Sequence, residues 1–453
     1  MKLRPASGGM VNSKKIFQGR VEMLRKPIRL ILTISFLLFH VCSASGETHN
    51  LNLDQCLQIT YQNNKTLLQL QEKINSAGYK IEEAKSGFYP QFSFSGSYTR
   101  LGSVPQYDFG GMSFKLGSEN NYNLGLSLEQ PLFTWGRIKN SYDISKHGLS
   151  LTQEEYRKSK QEIKFGVVSL FYDILLAKEL IKVREESIAR IEDHLKTVQE
   201  RYDKGFASEF DVLRAKVQLA NAKPPLVQAK NLYQLTMDNL KNILGIDLKD
   251  SVNLEGELQF TPQDVDQSQA EELAFQNRSE LKLMQQQRKI GERALAIAKA
   301  NDKPSLLGLA NYEYKRPYYS EDKWKTDWNF TLALNVPIFD GFLTRSKVRE
   351  AKSDLKQLDL TEKQIQDLIK LEISQAISDL NLARENILSQ EENVKQAKES
   401  IRIAKVQYEK GLLTNLELMD TEFALTVAET NYLQTLSDYL IAKAKYEKAI
   451  GKD

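Results

Sequence analysis

The sequence predicts a mainly α-helical fold in which long coiled-coil helices carry four β-strands, and in which these strands form part of a membrane β-barrel. Three observations predict this fold. The chain consists of two copies of a unit of about 200 residues. Each copy contains a helical stretch far longer than the roughly 11–12 residues of an ordinary globular helix. Between the helical stretches, apolar and polar residues alternate with a period of two.

Residues 1–46 have the composition of a secretory signal peptide. Basic residues up to Arg29 precede an apolar run at 30–41, and small residues follow at 42–46. The apolar run is too short to anchor the chain in a bilayer as a helix. Removing this leader takes away eight Lys/Arg and one Glu, so the formal charge changes from +3 to 3 − 7 = −4. A nucleic-acid partner is therefore not expected.

The residue pattern does not indicate catalytic or cofactor chemistry. The leader contains one of the two cysteines, so the mature chain keeps one thiol, Cys56, and no intramolecular disulfide is expected. The four histidines do not cluster, and neither residue type has the spacing of a metal site. No nucleophile–base constellation is present. The sequence therefore predicts neither an enzyme nor a protein with a metal or cofactor.

Matching segments define the internal repeat. Residues 131–133 (PLF) recur at 337–339 (PIF), and residues 202–205 (YDKG) recur at 408–411 (YEKG), both at an offset of 206 residues. Upstream of the first strand the offset is 214 residues, so the loop of the first hairpin is eight residues longer than that of the second.

Each copy is predicted to contain an opening helix, a β-hairpin, a long helix, a tight turn and a return helix. The first repeat covers 47–245, with a hairpin at 91–131, a long helix at 138–204 and a return helix at 209–244. A connection at 246–268 follows. The second repeat covers 269–453, with a hairpin at 305–337, a long helix at 343–410 and a return helix at 415–450.

The second long helix is predicted from the absence of helix breakers. Residues 343–410 contain neither Gly nor Pro, and 68 residues at about 1.5 Å each give roughly 100 Å. Residues along it recur at alternating steps of three and four, which predicts a coiled-coil seam with one polar member. Its members are Leu380, Ala383, Ile387, Gln390, Val394, Ala397, Ile401, Ala404 and Tyr408. Gly205 and Gly411 are expected to end the long helices, and Ser208 and Thr414 to cap the return helices.

The predicted hairpins match strands with lipid on one face and water on the other. Apolar and polar residues alternate at 92–98, 122–129 and 328–336, and the strand at 305–316 is weaker. A soluble sandwich shows the same alternation, but four strands are too few for one. Because an open edge is forbidden in lipid, the barrel needs eight strands from two chains or twelve from three. Aromatic residues near strand ends match an interfacial girdle: Phe133, Trp135, Tyr312, Tyr314, Tyr318, Tyr319 and Trp324.

Segments in both copies resemble the TolC family of outer-membrane efflux proteins over about residues 51–451. They are 51–57 (LNLDQCL), 62–64 (QNN), 84–91 (AKSGFYPQ), 131–137 (PLFTWGR), 337–341 (PIFDG), 202–205 (YDKG) and 211–215 (DVLRA). The resemblance implies a homotrimer whose twelve strands share one barrel in the outer-membrane lipid. Below it, a periplasmic α-barrel of twelve helices would close at the helical tips. The tips would couple to a periplasmic adaptor (membrane fusion protein) and an inner-membrane pump.

The resemblance also implies roles for residues near the tips. Glu417 and Asp420 match acidic residues that ring the pore, although both are equally suited to solvated positions near a helix N-terminus. Tyr408 and Asp211 match gate contacts, whereas Leu413 occupies the position where the family has an arginine.

With Leu413 at that position, the gate is expected to use a tyrosine–aspartate hydrogen bond or another cation such as Lys410. The tip turns carry exposed apolar side chains, which predicts a partner surface rather than fraying turns, and the resemblance implies that the adaptor docks there. The docking residues are Gly205, Phe206, Gly411 and Leu412.

The expected function is that of a passive exit duct in a tripartite efflux system, which conducts small molecules from the pump and adaptor to the outside. Two alternatives stay open. One is the outlet of a type I protein-secretion system, which the resemblance implies uses the same kind of tube. The other is a coiled-coil spacer in the outer membrane that transports nothing.

Overall fold

The computed structural model describes residues 49–115, 117–319 and 321–453. The predicted leader at 1–46 therefore lies outside the described residues. Within the described residues, the chain divides into two units: one contains residues 49–50 with Lys249–Asn253, and the other contains Leu51–Leu248 with Leu254–Asp453. Two short strands, β1 (His49–Leu51) and β6 (Val252–Leu254), form a two-stranded sheet.

Eight helices and six further strands lie in the described part of the chain. The helices are α1 (Leu53–Asn63), α2 (Lys65–Ser86), α3 (Arg137–Asp203), α4 (Glu209–Leu244), α5 (Gln267–Asn277), α6 (Ser279–Lys299), α7 (Leu343–Glu409) and α8 (Asn415–Ala449). The strands are β2 (Gln91–Arg100), β3 (Gln106–Phe109), β4 (Met112–Lys115), β5 (Asn120–Phe133), β7 (Ser305–Arg316) and β8 (Lys325–Asn335).

The opening helix of each repeat is broken in two, where the sequence predicts one continuous helix. Asn64 and Arg278, at equivalent positions, have extended backbones between α1 and α2 and between α5 and α6. The Asn64 side chain donates to the Ile243 carbonyl at 2.8 Å. The Arg278 guanidinium donates to the Ala449 carbonyl at 3.3 Å. Each break thus lets a side chain satisfy a carbonyl at the end of a return helix, which helix propensity alone does not predict.

The two long helices, α3 and α7, contain 67 residues each, or about 100 Å at 1.5 Å per residue. Each pairs with its return helix: α3 with α4 forms the first helical hairpin, and α7 with α8 forms the second. The two hairpins meet where α3 packs against α8. Helix α4 runs through Pro224 and Pro225.

The seam predicted along α7 lies on its packed face. Six of its members are buried and the other three are half-buried. The buried members are Leu380, Ala383, Ile387, Ile401, Ala404 and Tyr408. They contribute to apolar clusters with residues of the return helices, including Leu418, Leu425 and Tyr439. The spacing of three and four residues therefore specifies which side of the long helix faces the rest of the chain.

The two β-hairpins join into one antiparallel sheet of four strands in the order β2-β5-β7-β8. The β5–β7 pairing joins the first repeat to the second. The loop between β2 and β5 contains a small extra hairpin, β3–β4, that the sequence did not predict. This hairpin lies in the loop that is longer in the first repeat.

Gly245 closes the first return helix in a position that excludes a side chain. Its φ is +74°, and a Cβ atom there would lie 2.5 Å from the Asn63 carbonyl oxygen. Gly205, in the tip turn, has a φ of +80°, and its Cβ would meet nothing within 4 Å. A side chain at Gly205 would meet only the penalty of the left-handed backbone, whereas one at Gly245 would also clash. Comparing substitutions at the two positions therefore separates these two effects.

We expect Gly205→Ala to lower the free energy of unfolding by about 1 kcal/mol, which is the penalty of the left-handed conformation. Gly245→Ala should lower it by about 1–3 kcal/mol more, since the backbone of α1 must also move. Thermal unfolding of the two variants in detergent measures the difference. Equal losses would show that the α1–α4 contact adapts without strain.

Candidate channel surfaces and helical tips

One face of the four-stranded sheet presents large apolar side chains to the outside. Trp328 on β8 is 73% exposed, and many neighbours on all four strands are also exposed. These neighbours include Phe92, Phe94, Leu124, Leu126, Tyr312, Phe330, Leu332 and Leu334. An apolar face of this extent is stable only against lipid or against another protein.

The opposite face of the sheet carries small polar side chains that bond across the strands. The Ser93 and Ser127 hydroxyls lie 2.6 Å apart, and the Asn311 amide donates to Asn329 Oδ1 at 3.1 Å. The sheet is thus apolar on one face and polar on the other, as in a barrel wall with lipid outside and water inside. Within the described residues, the outer strands β2 and β8 pair on one side only.

Aromatic side chains gather towards both ends of the sheet. Near the loops, Tyr98 packs against Tyr122 with ring centroids 5.0 Å apart, and Tyr122 against Trp324 at 5.8 Å. Near the long helices, Phe133 packs against Trp135 at 5.2 Å. Amphipathic rings at the two ends of an apolar band are typical of the two interfaces of a membrane.

The tip turns expose the apolar residues that the sequence singles out. Phe206 is 76% exposed and Leu412 is 74% exposed. Gly205 and Gly411 have φ values of +80° and +74°, in the left-handed region that ends each long helix. Each helical hairpin therefore ends in a turn that exposes a large apolar side chain.

The Glu417 carboxylate completes the capping box of α8, whose N-cap residue is Thr414. It accepts hydrogen bonds from the Thr414 N–H at 2.8 Å and from the Thr414 hydroxyl at 2.7 Å. These hydrogen bonds lower the pKa of Glu417, so its charge is maintained. The structure thus assigns Glu417 a capping role, which leaves its negative charge exposed at the tip.

Asp420 lies one turn further along α8, beside an open groove of about 400 Å³ between α3, α4 and α8. Two arginines, Arg184 and Arg214, line the same groove together with the apolar side chains of Val217 and Phe423. Asp420 is exposed, whereas Glu417 is held in its cap. The two predicted pore acids therefore lie in different local environments.

Tyr408 is buried at the end of α7, and its partner is a cation that the sequence did not predict. The Arg201 guanidinium lies 4.8 Å from the centre of the Tyr408 ring and donates to the Tyr408 carbonyl at 2.9 Å. The cation beside Tyr408 thus comes from α3 and is not Lys410. Leu413, which occupies the arginine position of the family, packs against the apolar cluster around Tyr408.

Asp211 lies in the same region but bonds to other groups. Its carboxylate accepts from the Ser208 hydroxyl at 2.6 Å, which completes the cap of α4, and from the Asn415 amide at 3.2 Å. No hydrogen bond joins Asp211 to Tyr408 among the described contacts. Asn415 Oδ1 lies 2.6 Å from His194 Nε2, so Asn415 links Asp211 to the first long helix.

Sequence reasoning missed the polar residues that join the two helical hairpins near the tips. They are Arg190, His194, Arg201, Asn415 and Glu422. Arg190, His194 and Arg201 lie on α3, whereas Asn415 and Glu422 lie on α8, and no spacing rule pairs residues more than 200 positions apart. Only their placement across the α3–α7 and α3–α8 contacts shows that they belong together.

Comparisons with known proteins agree with this geometry. The sequence model of the family described as "Outer membrane efflux protein" matches residues 56–246 and 271–452. The chain belongs to this family. The family resemblance predicted from the sequence is therefore confirmed, and the two matched ranges correspond to the two repeats.

Relatives of this outer membrane efflux protein align along most of its length. Outer membrane efflux protein BepC of Brucella suis biovar 1 is 20% identical over 395 residues, 86% of this chain and 83% of BepC. Alkaline protease secretion protein AprF of Pseudomonas aeruginosa is 23% identical over 332 residues, 71% of this chain and 67% of AprF. The Campylobacter jejuni CmeC outer membrane channel, 17% identical, has the same fold with a TM-score of 0.79, covering 88% of this chain and 85% of CmeC.

Two features are absent from the described part of this chain. None of its described helices combines the length and apolar character needed to cross a membrane. Across the same residues, no group of three or more His, Cys, Asp or Glu side chains could hold a metal ion. Cys56 is buried, and burial raises the pKa of its thiol to about 11.

We expect Arg201→Gln to loosen the end of α7, because the variant loses the charged hydrogen bond to Tyr408 and the contact with its ring. The combined loss is about 1–3 kcal/mol in the local opening free energy. Hydrogen–deuterium exchange of amides near Tyr408 measures it. Arg402→Gln, which removes only an exposed pair with Glu399, is the matched control and should change exchange little. Equal effects of the two changes would refute the role of Arg201.

Proposed function

We propose that this protein is the outer-membrane exit duct of a tripartite efflux system and conducts small molecules passively to the outside. The observation that carries the proposal is the four-stranded sheet, which is apolar on one face and polar on the other and joins helical hairpins about 100 Å long. The sheet suits a place in the outer-membrane lipid, and the helices are long enough to extend far into the periplasm.

The barrel closes with strands from three chains in a homotrimer. Each chain contributes four strands whose outer members pair on one side only. Two chains would give eight strands, and a barrel of that size is just wide enough for its own side chains to fill. Three chains give twelve strands and a wider lumen. Conduction therefore favours the trimer, whose helical hairpins continue the duct as an α-barrel.

The exposed tips are the proposed contact with a periplasmic adaptor and, through it, with an inner-membrane pump. Phe206 and Leu412 present apolar surface at the end of each hairpin, and exposed apolar surface is typical of a partner site. Gly205 and Gly411 shape the turns that present them. The pump supplies the energy, so the duct itself needs no catalytic group.

The outlet of a type I protein-secretion system is the second candidate. It is favoured by the likeness to the alkaline protease secretion protein AprF. The likeness to the outer membrane efflux protein BepC favours efflux. Both roles use a passive tube, and deletion strains scored for drug accumulation and for secreted protein distinguish them.

Within the duct, Glu417 and Asp420 are the proposed acidic ring near the closed end. Both carboxylates are exposed near the start of α8. Three copies of each give six negative charges around a narrow lumen, and a field of this kind favours cations. Tyr408 and Asp211 are the proposed gate residues, and Arg201 and Asn415 connect them to the neighbouring helices.

Conductance in planar bilayers tests the channel and its acidic ring together. We expect wild-type protein to form cation-preferring pores, and the double change Glu417→Gln with Asp420→Asn to reduce the cation preference severalfold. Gln at 417 can still complete the α8 cap, so the fold is preserved. Asp438→Asn, an exposed carboxylate further along α8, is the control. The absence of pores would contradict the channel function, whereas pores with unchanged selectivity would contradict only the ring.

A further inference from the structure

A buried carboxylate lies where the two helical hairpins meet behind their tips. Glu422 of α8 is only 3% exposed, and its Oε2 has no hydrogen-bond donor among the described protein groups. It borders a cavity of about 70 Å³ between α3, α7 and α8, which we call the tip junction. The lining residues are Arg190, Asp193, His194, Thr197, Lys405, Tyr408, Glu409, Leu418 and Glu422.

The tip junction connects the two hairpins through polar contacts on both sides of Glu422. Towards the tip, His194 of α3 bonds to Asn415 of α8 at 2.6 Å. Away from the tip, Arg190 of α3 donates to the Thr426 hydroxyl at 3.3 Å and lies 3.6 Å from the carboxylate of Glu429. Glu422 is therefore enclosed in the contact between α3 and α8, so separating the hairpins would expose it to water.

The surroundings of Glu422 disfavour its charged form. Burial is the largest effect and raises the pKa of Glu422 from 4.5 to about 7, although Lys405 and Arg190 act in the opposite direction. The titratable and charged groups that face it are Arg190, Asp193 and His194 of α3 and Lys405, Tyr408 and Glu409 of α7. Burial is the largest effect that raises the pKa of Tyr408, and the negative charge of Asp211 on α4 acts in the same direction.

His194 responds to protons in the opposite sense. The Asn415 amide donates to Asp211, so Asn415 Oδ1 faces His194 and accepts its Nε2–H. Burial is the main cause that lowers the pKa of His194, so the ring stays neutral at neutral pH. Its contribution to stability is present above its ordinary pKa and is lost on acidification.

We propose that Glu422 is a proton-binding site that sets how firmly the two helical hairpins of one protomer hold together behind their tips. When it is protonated, the neutral carboxyl group is compatible with its buried position in the junction. When it is ionised, the charge is better solvated with the hairpins apart.

The direction of the pH effect follows from proton linkage. Because the pKa of Glu422 is raised in the closed junction, its stabilising contribution is complete in acid and is lost as the pH rises through about 7. His194 weakens the junction at the acid end. The junction is therefore tightest at mildly acidic pH. If the protein is the channel proposed above, the tips open more readily as the pH rises from mildly acidic values to about 7, and the effect levels off at higher pH.

The test compares wild type with Glu422→Gln by hydrogen–deuterium exchange of the intact protein in detergent. Amides of α3 and α8 near His194 and Glu422 are followed at pH 6 and pH 8. Taking the ratio of the two proteins at each pH removes intrinsic exchange chemistry and the effect of His194. For a pKa of 4.5 in the open junction and about 7 in the closed one, the ratio of wild-type to variant opening rises about tenfold between the two pH values.

A ratio that stays constant between pH 6 and pH 8 overturns the proposal. Glu399→Gln, an exposed carboxylate on α7, is the matched control and should give a constant ratio. If Glu422→Gln fails to fold, Glu422→Met provides a neutral side chain of similar length for the same comparison. The exchange measurement does not depend on whether the protein conducts ions. If the protein forms pores but its exchange ratio stays constant, only the proton site is refuted. If the exchange ratio rises as predicted but the protein forms no pores, only the channel function is refuted.

Discussion

The four-stranded sheet is not closed by the described part of a single chain. Within those residues its outer strands carry backbone groups that pair on one side only, and one of its faces is apolar. In lipid, every backbone polar group must find a partner within protein, so a sheet with open edges cannot remain there alone. If the sheet lies in lipid as proposed, it must assemble with further copies of the chain, and the helices that extend from it assemble with it.

The helical hairpins satisfy a second constraint, namely that a long narrow structure has little core per residue. Helices α3 and α7 are each 67 residues long. Their buried side chains form narrow apolar stripes, which belong to separate clusters at different points along the helices. Polar contacts between the hairpins are few and local. Those near the tips connect α3 to α7 and α8, so the tips hold together through a small group of side chains whose charge states influence that contact.

The sequence predicts the parts of the fold that local rules determine. Both long helices and both return helices begin and end within one residue of their predicted bounds, because Gly205 and Gly411 end the former and Ser208 and Thr414 cap the latter. The breaks at Asn64 and Arg278 were not predicted, since the partner of the Asn64 amide lies 179 residues away. The tip contacts were missed for the same reason. Arg201 and Tyr408 are neighbours only after the hairpins pack.

The central claim is that strands from three chains share one barrel, and the native mass of the protein tests it most directly. The protein would be extracted from outer membranes in mild detergent and its mass measured free of detergent by native mass spectrometry. A barrel shared by three chains predicts a mass about three times that of one chain without the predicted leader. A mass of one or two chains would contradict it, because the sheet edges would then be open or the barrel too narrow to conduct.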